Sequence, residues 1–348
     1  MAAPDMDLSR AGVIKNDSGS WAKDNALFLK VFSGEVITAF NRECVFGSLC
    51  QSRTISSGKS AQFPVAGRFK AAYHTPGKMI TGQGQLEQNE VVIKIDDLLI
   101  ADAVLYDLDD AKNHYDIRSI YSTELGRAMA RAYDKRIARV ITLGARQSTA
   151  DLQTNQPSGL SPDQQSRVGT VIDINKATPT SDDLVASVFS AAEALDKKDV
   201  PQEQRYLVCD PASYYTLIQS SRAVNYDFNQ QGVNGSYKEG QIAKLAGFNI
   251  MSSNHIAQGD VTAPSGEQGY TFNANDVTLS SVNMTNTKML AFHKSGVGVV
   301  KLKDLSMQMS GSDYNILYQA TMMVARQAYG CGYLRPEACV EIKNDGTP

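Results

Sequence analysis

The sequence predicts an α+β chain of two domains with extended appendages, and three observations carry that expectation. At 348 residues the chain is long for one core. A single helical face runs through residues 109–146, while residues 50–95 show short alternating runs broken by turn residues. A Ser-, Thr-, Gln-, Asn- and Pro-rich stretch, 147–180, then separates this part from a compact α/β segment. The composition is 42% hydrophobic and 20% charged with a net charge of −3, which suits a globular chain and not a free-standing nucleic-acid binder. The most apolar run, Leu98 to Leu108, is interrupted by Asp102 and Asp107, so no membrane span is expected. Asp5 and Asp7 stand where a signal peptide needs an apolar run, so no export is expected.

Residues 1–24 are polar and carry Pro4, Gly12 and Gly19, the composition of an arm, with Trp21 as its aromatic anchor. From Ala26 to Phe40, the side chains of Leu27, Val31, Val36 and Phe40 share one helical side, with Gly34 as a weak point. Turn signals at Ser56-Ser57-Gly58 and Thr75-Pro76-Gly77, and the strand Val91 to Ile95, make 50–95 a long β-hairpin. A hairpin with so little bulky apolar content cannot bury itself, and a neighbouring subunit is the natural cover. Leu98 to Tyr106 follows as a strand. The helix 109–146 presents Ile117, Tyr121, Leu125, Ala128, Ala132, Ile137 and Val140, with aspartates early and Arg131, Lys135, Arg136 and Arg139 late, as the helix dipole favours.

In the α/β segment, helix 181–197 opens on Ser181, Asp182 and Asp183 and faces inward with Leu184, Val188, Ala192 and Leu195. Strand 205–209 runs into Asp210-Pro211, which starts a helix through Ile218, and a further strand spans 246–251. Residues 252–287, without Lys or Arg, form an elaborated loop region. Strands are expected at 290–292 and 297–302, whereas 314–329 fits strand or helix.

Motifs of chemistry fail on their spacing. Ser57-Gly58-Lys59-Ser60 lacks the first P-loop glycine, which would fall at Arg53, and Phe63-Pro64 blocks the helix that must follow. Gly296-Val297-Gly298 lacks its third glycine, since Lys301 stands there. There is no G-x-S-x-G elbow. Asn16, Asn234 and Asn283 are chance glycosylation matches without a secretory signal. The five cysteines form no CxxC pair and the four histidines no i, i+4 pair, so no metal site is expected, and the cysteines are read as buried small hydrophobes in a reducing compartment. Seven aspartates lie between Asp96 and Asp116, but nothing completes a hydrolase site around them, so they read as a solvated helix start and strand edges.

The charges alternate in blocks. Residues 51–94 carry a net +4, residues 96–116 a net −6 and residues 118–146 a net +5. A basic hairpin beside an acidic segment offers complementarity between copies, which sets register more than affinity.

The blocks Ala26 to Phe32, Gly34-Glu35-Val36, Arg53 to Val65, Leu105-Tyr106-Asp107 and Asn113 to Arg118 resemble major capsid proteins of short-tailed phages of the T-seven group. So do Cys209-Asp210-Pro211 with Ser213-Tyr214, Val299 to Leu302, and Gly332 to Ala338, all in the same order. The resemblance implies the Hong Kong 97-type capsid fold. Its N-terminal arm would be 1–49, its extended β-hairpin loop 50–95, and its peripheral domain 96–180 with a spine helix over 109–146. An axial α/β domain would be 181–285, and return strands of the peripheral domain would fill 286–348. It further implies hexamers and pentamers of an icosahedral shell around double-stranded DNA, held without sequence specificity. A scaffolding protein, a portal protein and expansion on maturation belong to the same implication, with a decoration protein left open. The chain would then be a non-enzymatic virion protein, assembled in the host cytoplasm, with no cofactor, metal or membrane partner.

Under that resemblance the candidate assembly residues are Arg53, Lys59, Arg68 and Lys70 on the loop and Asp107, Asp109 and Asp110 on the acidic segment. Arg127, Arg131 and Lys135, at i, i+4 and i+8, line a helix face that is either solvated or approaches packaged DNA or scaffold. Some relatives of the fold link subunits covalently through lysine and asparagine side chains. Lys59 and Lys70 lie in the corresponding loop, but the T-seven group is not expected to use this chemistry, so no crosslinks are expected. Two rivals are an encapsulin-type cargo compartment and an Asp-dependent α/β hydrolase. Particle diameter and DNA content separate the first, and size-exclusion of an active monomer or dimer the second. Charge reversal at Lys59 or Arg68 is expected to lower the yield or stability of assembled particles while the subunit stays folded by circular dichroism. Unchanged particles would contradict it.

Overall fold

A computed structural model of the chain describes residues 35–66, 73–79, 88–95, 98–107, 117–147, 168–219, 235–236, 241–256, 260–261 and 282–345, apart from residues 42, 177 and 243. The chain divides into two compact units. One comprises Met1–Cys44, Leu98–Tyr133 and Lys303–Ala328; the other comprises Val45–Asp97, Asp134–Leu302 and Tyr329–Pro348.

The second unit is built on a six-stranded mixed sheet. Its strands, in spatial order, are β5 (Thr170–Asp173), β16 (Cys339–Lys343), β13 (Thr287–His293), β6 (Arg205–Cys209), β10 (Phe248–Ser252) and β9 (Lys244–Leu245). Met289, Leu290, Ala291 and Phe292 in the centre have no exposed surface, nor do Val340 and Ile342 beside them. This near-continuous apolar run is what a strand covered on both faces requires. The turn between β9 and β10 consists of Ala246 and Gly247, both at positive φ, the two-residue geometry that matches strand twist. The strand expected from residue 246 therefore begins at Phe248.

Two helices cover this sheet, and both form for local reasons. For α2 (Ser181–Lys197), Thr180 accepts from the Asp183 amide and Asp183 accepts in return from the Thr180 amide, satisfying the first-turn donors. Lys176 beside Asp183 lowers that carboxyl from 3.8 to about 2. Leu184, Val188, Ala191 and Leu195 then form its buried stripe, with Ala192 only partly buried. For α3 (Pro211–Ile218), Pro211 takes the position where a missing amide costs least.

A second sheet has the order β1 (Gln51–Thr54), β14 (Val297–Met309), β15 (Ala320–Tyr333), β4 (Leu99–Tyr106). In the first unit β4 runs antiparallel to β15, from Ala320 opposite Tyr106 to Gln327 opposite Leu99. In the second unit β1 runs parallel to β14, with Gln51 opposite Gly298 and Thr54 opposite Lys301. The segment 314–329, open between strand and helix, contains both. The short helix α4 (Ser312–Tyr318) ends at Gln319, whose φ of 48° turns the chain into β15. Three two-stranded pieces complete the described chain: β2 (Ser60–Ala66) with β3 (Gln88–Lys94), β7 (Gly235–Ser236) with β8 (Gln241–Ile242), and β11 (Asp260–Val261) with β12 (Val282–Asn283).

The long helix α1 spans Ile117–Arg146, about 45 Å at 1.5 Å per residue. Residues 109–116, expected to begin it, lie outside the described residues. From Asp134 to Ala145 every residue but Lys135 is buried, so this half is packed on all sides within the second unit. Asp134 has no exposed surface. Its carboxylate accepts the Val45 and Phe46 amides at 2.8 and 3.2 Å and Nδ1–H of His255 at 3.1 Å. The last turn of α1 is tied by Arg146, whose Nε and Nη2 each donate at 2.6 Å to the buried carboxylate of Glu341 on β16. Thr287 Oγ1 adds a third bond to Glu341 at 2.6 Å. Gly144 permits this approach, since a Cβ there would lie 3.2 Å from both Cys339 Sγ and Tyr333 Cβ.

The boundary expected at residue 285 does not coincide with a sheet boundary. Strand 287–293, expected with the return strands, pairs with 339–343 on one side and with 205–209 of the expected axial domain on the other. Glu341→Gln removes the counter-charge of Arg146, which keeps 31% side-chain exposure. The variant is expected to lose about 3 kcal/mol, the low end for a broken buried pair. The readout is the urea midpoint of the unassembled chain, and an unchanged midpoint would contradict it.

Candidate assembly surfaces

The hairpin β2–β3 is anchored by one face at its root. Ser60 pairs with Lys94 and Ala66 with Gln88, and the side chains alternate: Ala61, Phe63 and Ile93 are buried, whereas Gln62, Pro64, Val92 and Lys94 are exposed. The buried row packs on Val300 of β14 with Ile55, Ile95 and Leu334. Glycines set the closeness of that packing. A Cβ on Gly330 would sit 2.1 Å from the Lys94 carbonyl oxygen, and one on Gly332 would sit 3.2 Å from Ile93 Cγ1. These positions on β15 thus form a flat seat for the hairpin.

Arg53, on the exposed strand β1, is part of that seat. Its Nη1 donates to the Gln62 carbonyl at 3.0 Å, and its guanidinium lies 5.9 Å from the Phe63 ring centroid. Lys59 is exposed at the turn into β2, where its carbonyl accepts the Ile95 amide at 2.9 Å. Arg68, Lys70, Asp109 and Asp110 lie outside the described residues. Asp107 is exposed at the end of β4 and donates its amide to the Gln319 carbonyl at 3.0 Å.

Arg127 is engaged within its own unit. It lies 2.7 Å from Glu124 and 3.3 Å from Glu43, and the neighbouring Glu124 raises the guanidinium pKa further. Arg131 is exposed and Lys135 half-buried, so the three cations do not present one uniform face.

The Glu43 contact belongs to a docking that the sequence reading missed. Residues 35–41 and 43 are helical and lie against α1 at Gly126, where a Cβ would meet the Val36 carbonyl oxygen at 2.6 Å and Ala39 Cβ at 2.8 Å. Ser122 Oγ donates to Glu35 at 2.7 Å at one end, and Phe40 meets Tyr133 edge-on at 5.7 Å at the other. A glycine inside a strong helical pattern, as at Gly126, is a signal of such a crossing.

The described residues show no grouping of three His, Cys, Asp or Glu that could hold a metal, and no described helix is long and apolar enough to cross a membrane. The cysteines are unbridged, and burial pushes the Cys209 thiol upward and that of Cys339 to about 12.

A family profile for Gp10A-like major capsid proteins matches residues 62–343. The chain belongs to this major capsid protein family. It is 38% identical to the major capsid protein of Escherichia phage T7 over 331 residues, covering 90% of each chain. It is 34% identical to that of Enterobacteria phage T3 over 345 residues, covering 95% of each. The capsid structure of cyanophage P-SCSP1u matches with a TM-score of 0.71 at 38% identity, over 87% of this chain and 89% of that one. The fold is therefore the Hong Kong 97-type capsid fold, and copies of this phage major capsid protein associate to build the capsid of the virion.

Gly126→Ala is expected to unseat the helical stretch 35–43. Alanine favours α1 itself by about 1 kcal/mol, so a loss confined to the docked stretch reports the crossing alone. Hydrogen exchange at amides 36–41 should accelerate about tenfold or more. Unchanged protection there would contradict the seat.

Proposed function

We propose that this capsid protein assembles as hexamers and pentamers into an icosahedral shell around double-stranded DNA, through a scaffolded precursor that expands on maturation. The observation that carries the proposal is that most of the chain's length aligns with major capsid proteins of T7 and T3. Beside it stands a hairpin whose outer face covers nothing among the described residues of its own chain. In this account the arm before Glu35 and the loop 50–95 reach onto neighbours, whereas residues 35–41 and 43–49 of the expected arm pack on their own chain. The loops of 181–285 meet their copies at capsomer centres, while strands 170–173, 287–293 and 339–343 share the sheet that carries those loops and the rest of 96–180 and 286–348 forms the shell between them.

The mechanism is many weak, repeated contacts without catalytic chemistry or cofactor. Arg53, Lys59, Arg68 and Lys70 on the loop lie over the acidic segment of a neighbour that holds Asp107, Asp109 and Asp110. Register comes from charge, while the hold comes from the number of copies. DNA is enclosed with no sequence preference, and a net charge of −3 per subunit makes the wall mildly repellent to it. Arg131, with Lys135, is the remaining cationic element of α1 for scaffold or DNA contact. A scaffolding protein guides closure and a portal protein admits the genome.

Electron microscopy of the chain expressed with and without a scaffolding partner tests this. Closed icosahedral particles of uniform diameter are expected with the partner, and aberrant or fewer ones without it. A chain that stays monomeric or dimeric in both conditions would overturn the shell reading.

A further inference from the structure

Two connections between the six-stranded and the four-stranded sheet run side by side within the second unit. One is the short helical turn Lys294–Gly296, which leads from β13 to β14. The other holds the short helical turn Pro336–Ala338, between β15 and β16. The Gly296 carbonyl joins the two, accepting the Leu334 amide at 2.8 Å and the Arg335 amide at 3.2 Å. A Cβ on Gly296 would lie 3.0 Å from Cys339 Sγ, so the crossings are closely packed.

His293 fixes the first of them. Its Nδ1 caps the turn by accepting the Ser295 amide at 3.2 Å, and the Ser295 hydroxyl lies 2.8 Å from the same nitrogen. A backbone amide can only donate, so this bond exists only while Nδ1 carries no proton. The surroundings favour that state. His293 stands opposite Arg205 on β6, and the charge of Arg335 acts on it from the second crossing. The carboxylates nearby are engaged by those cations: Glu337 accepts from Arg335 at 2.8 Å and Asp196 from Arg205 at 2.7 Å, while Lys198 adds a further positive charge near Glu337. Partial burial, and after it the two guanidinium groups, hold the imidazole below its ordinary value of 6.5, and a hydrogen bond with the Glu203 backbone is the opposing influence.

We infer that His293 is an acid-sensitive clasp on the paired crossings: a proton taken from solvent onto Nδ1 abolishes the Ser295 cap, loosens the turn 294–296 and weakens the bonds from Leu334 and Arg335 to Gly296. The protonated ring then sets one N–H donor against another. Because the folded chain favours the neutral ring, the stability that the clasp contributes is fully present above 6.5 and is lost as the pH falls from there through the lower folded value. The clasp is a property of the single chain and does not rest on the shell role.

Hydrogen exchange on the unassembled full chain tests it, read as protection factors of the Ser295, Leu334 and Arg335 amides at about pH 7.5 and about pH 5.5. In the wild-type chain these are expected to fall severalfold at the lower pH. In His293→Asn, whose side-chain oxygen accepts the same cap bond but takes no proton in this range, they are expected to hold. Equal losses in both chains, or none in either, would overturn the clasp. Should the variant not fold, nitrogen NMR of the wild-type ring decides. A bare Nδ1 at about pH 7.5 that gains its proton in step with the loss of protection supports the clasp, and an Nδ1 already protonated there overturns it.

Discussion

The carboxylate of Glu341 has no exposed surface, and a buried charge without balance is untenable in an apolar sheet. The fork of Arg146 and the hydroxyl of Thr287 supply that balance, and in doing so they tie the end of α1 to the middle of the six-stranded sheet. Gly144 and Gly169 make the approach sterically possible, since a Cβ on Gly169 would lie 2.2 Å from the Gly144 and Ala145 carbonyl oxygens. Of the strands at this joint, β15, whose Tyr333 faces Gly144, also carries Gly330 and Gly332 and so builds the seat of the hairpin. A rigid joint and a projecting hairpin thus share one piece of chain.

This arrangement divides the molecule energetically. The six-stranded sheet with α2 and α3 buries its own apolar surface and needs no other chain. The hairpin buries one row of side chains and exposes the other, and β4 keeps an open edge among the described residues. A protein that must assemble in large numbers, yet not aggregate, gains from this division. On the proposed shell role, the parts that the described chain leaves open are the ones that neighbours cover. In that proposed role, weak contacts between exposed charges would add register without locking early errors in place.

Much of this was legible in the sequence because it is local. The 3.6 period gave α1 and α2, the Asp210-Pro211 pair marked the start of α3, and alternation around Phe63 and Ile93 marked the hairpin. What stayed hidden depends on distant partners. Arg146 and Glu341 are 195 residues apart, and neither differs in sequence from an ordinary surface charge. The crossing of residues 35–41 and 43 over Gly126 joins segments about 90 residues apart, which no local period shows. Arg127 reads as a free cation at i, i+4 spacing until Glu43 is found beside it. The change from α4 to β15 turns on the positive φ of Gln319, a conformation for which glutamine carries no compositional signal.

The six-stranded sheet is complete in one chain, and on the proposed shell role other copies cover the hairpin and the open β4 edge. Hydrogen exchange compared between unassembled subunits and intact shells tests it most directly. The account predicts slow exchange at 287–293 and 339–343 in both states, with protection at 88–94 and 99–106 rising sharply only in the shell. Equal exchange at 88–94 and 99–106 in the two states would contradict it.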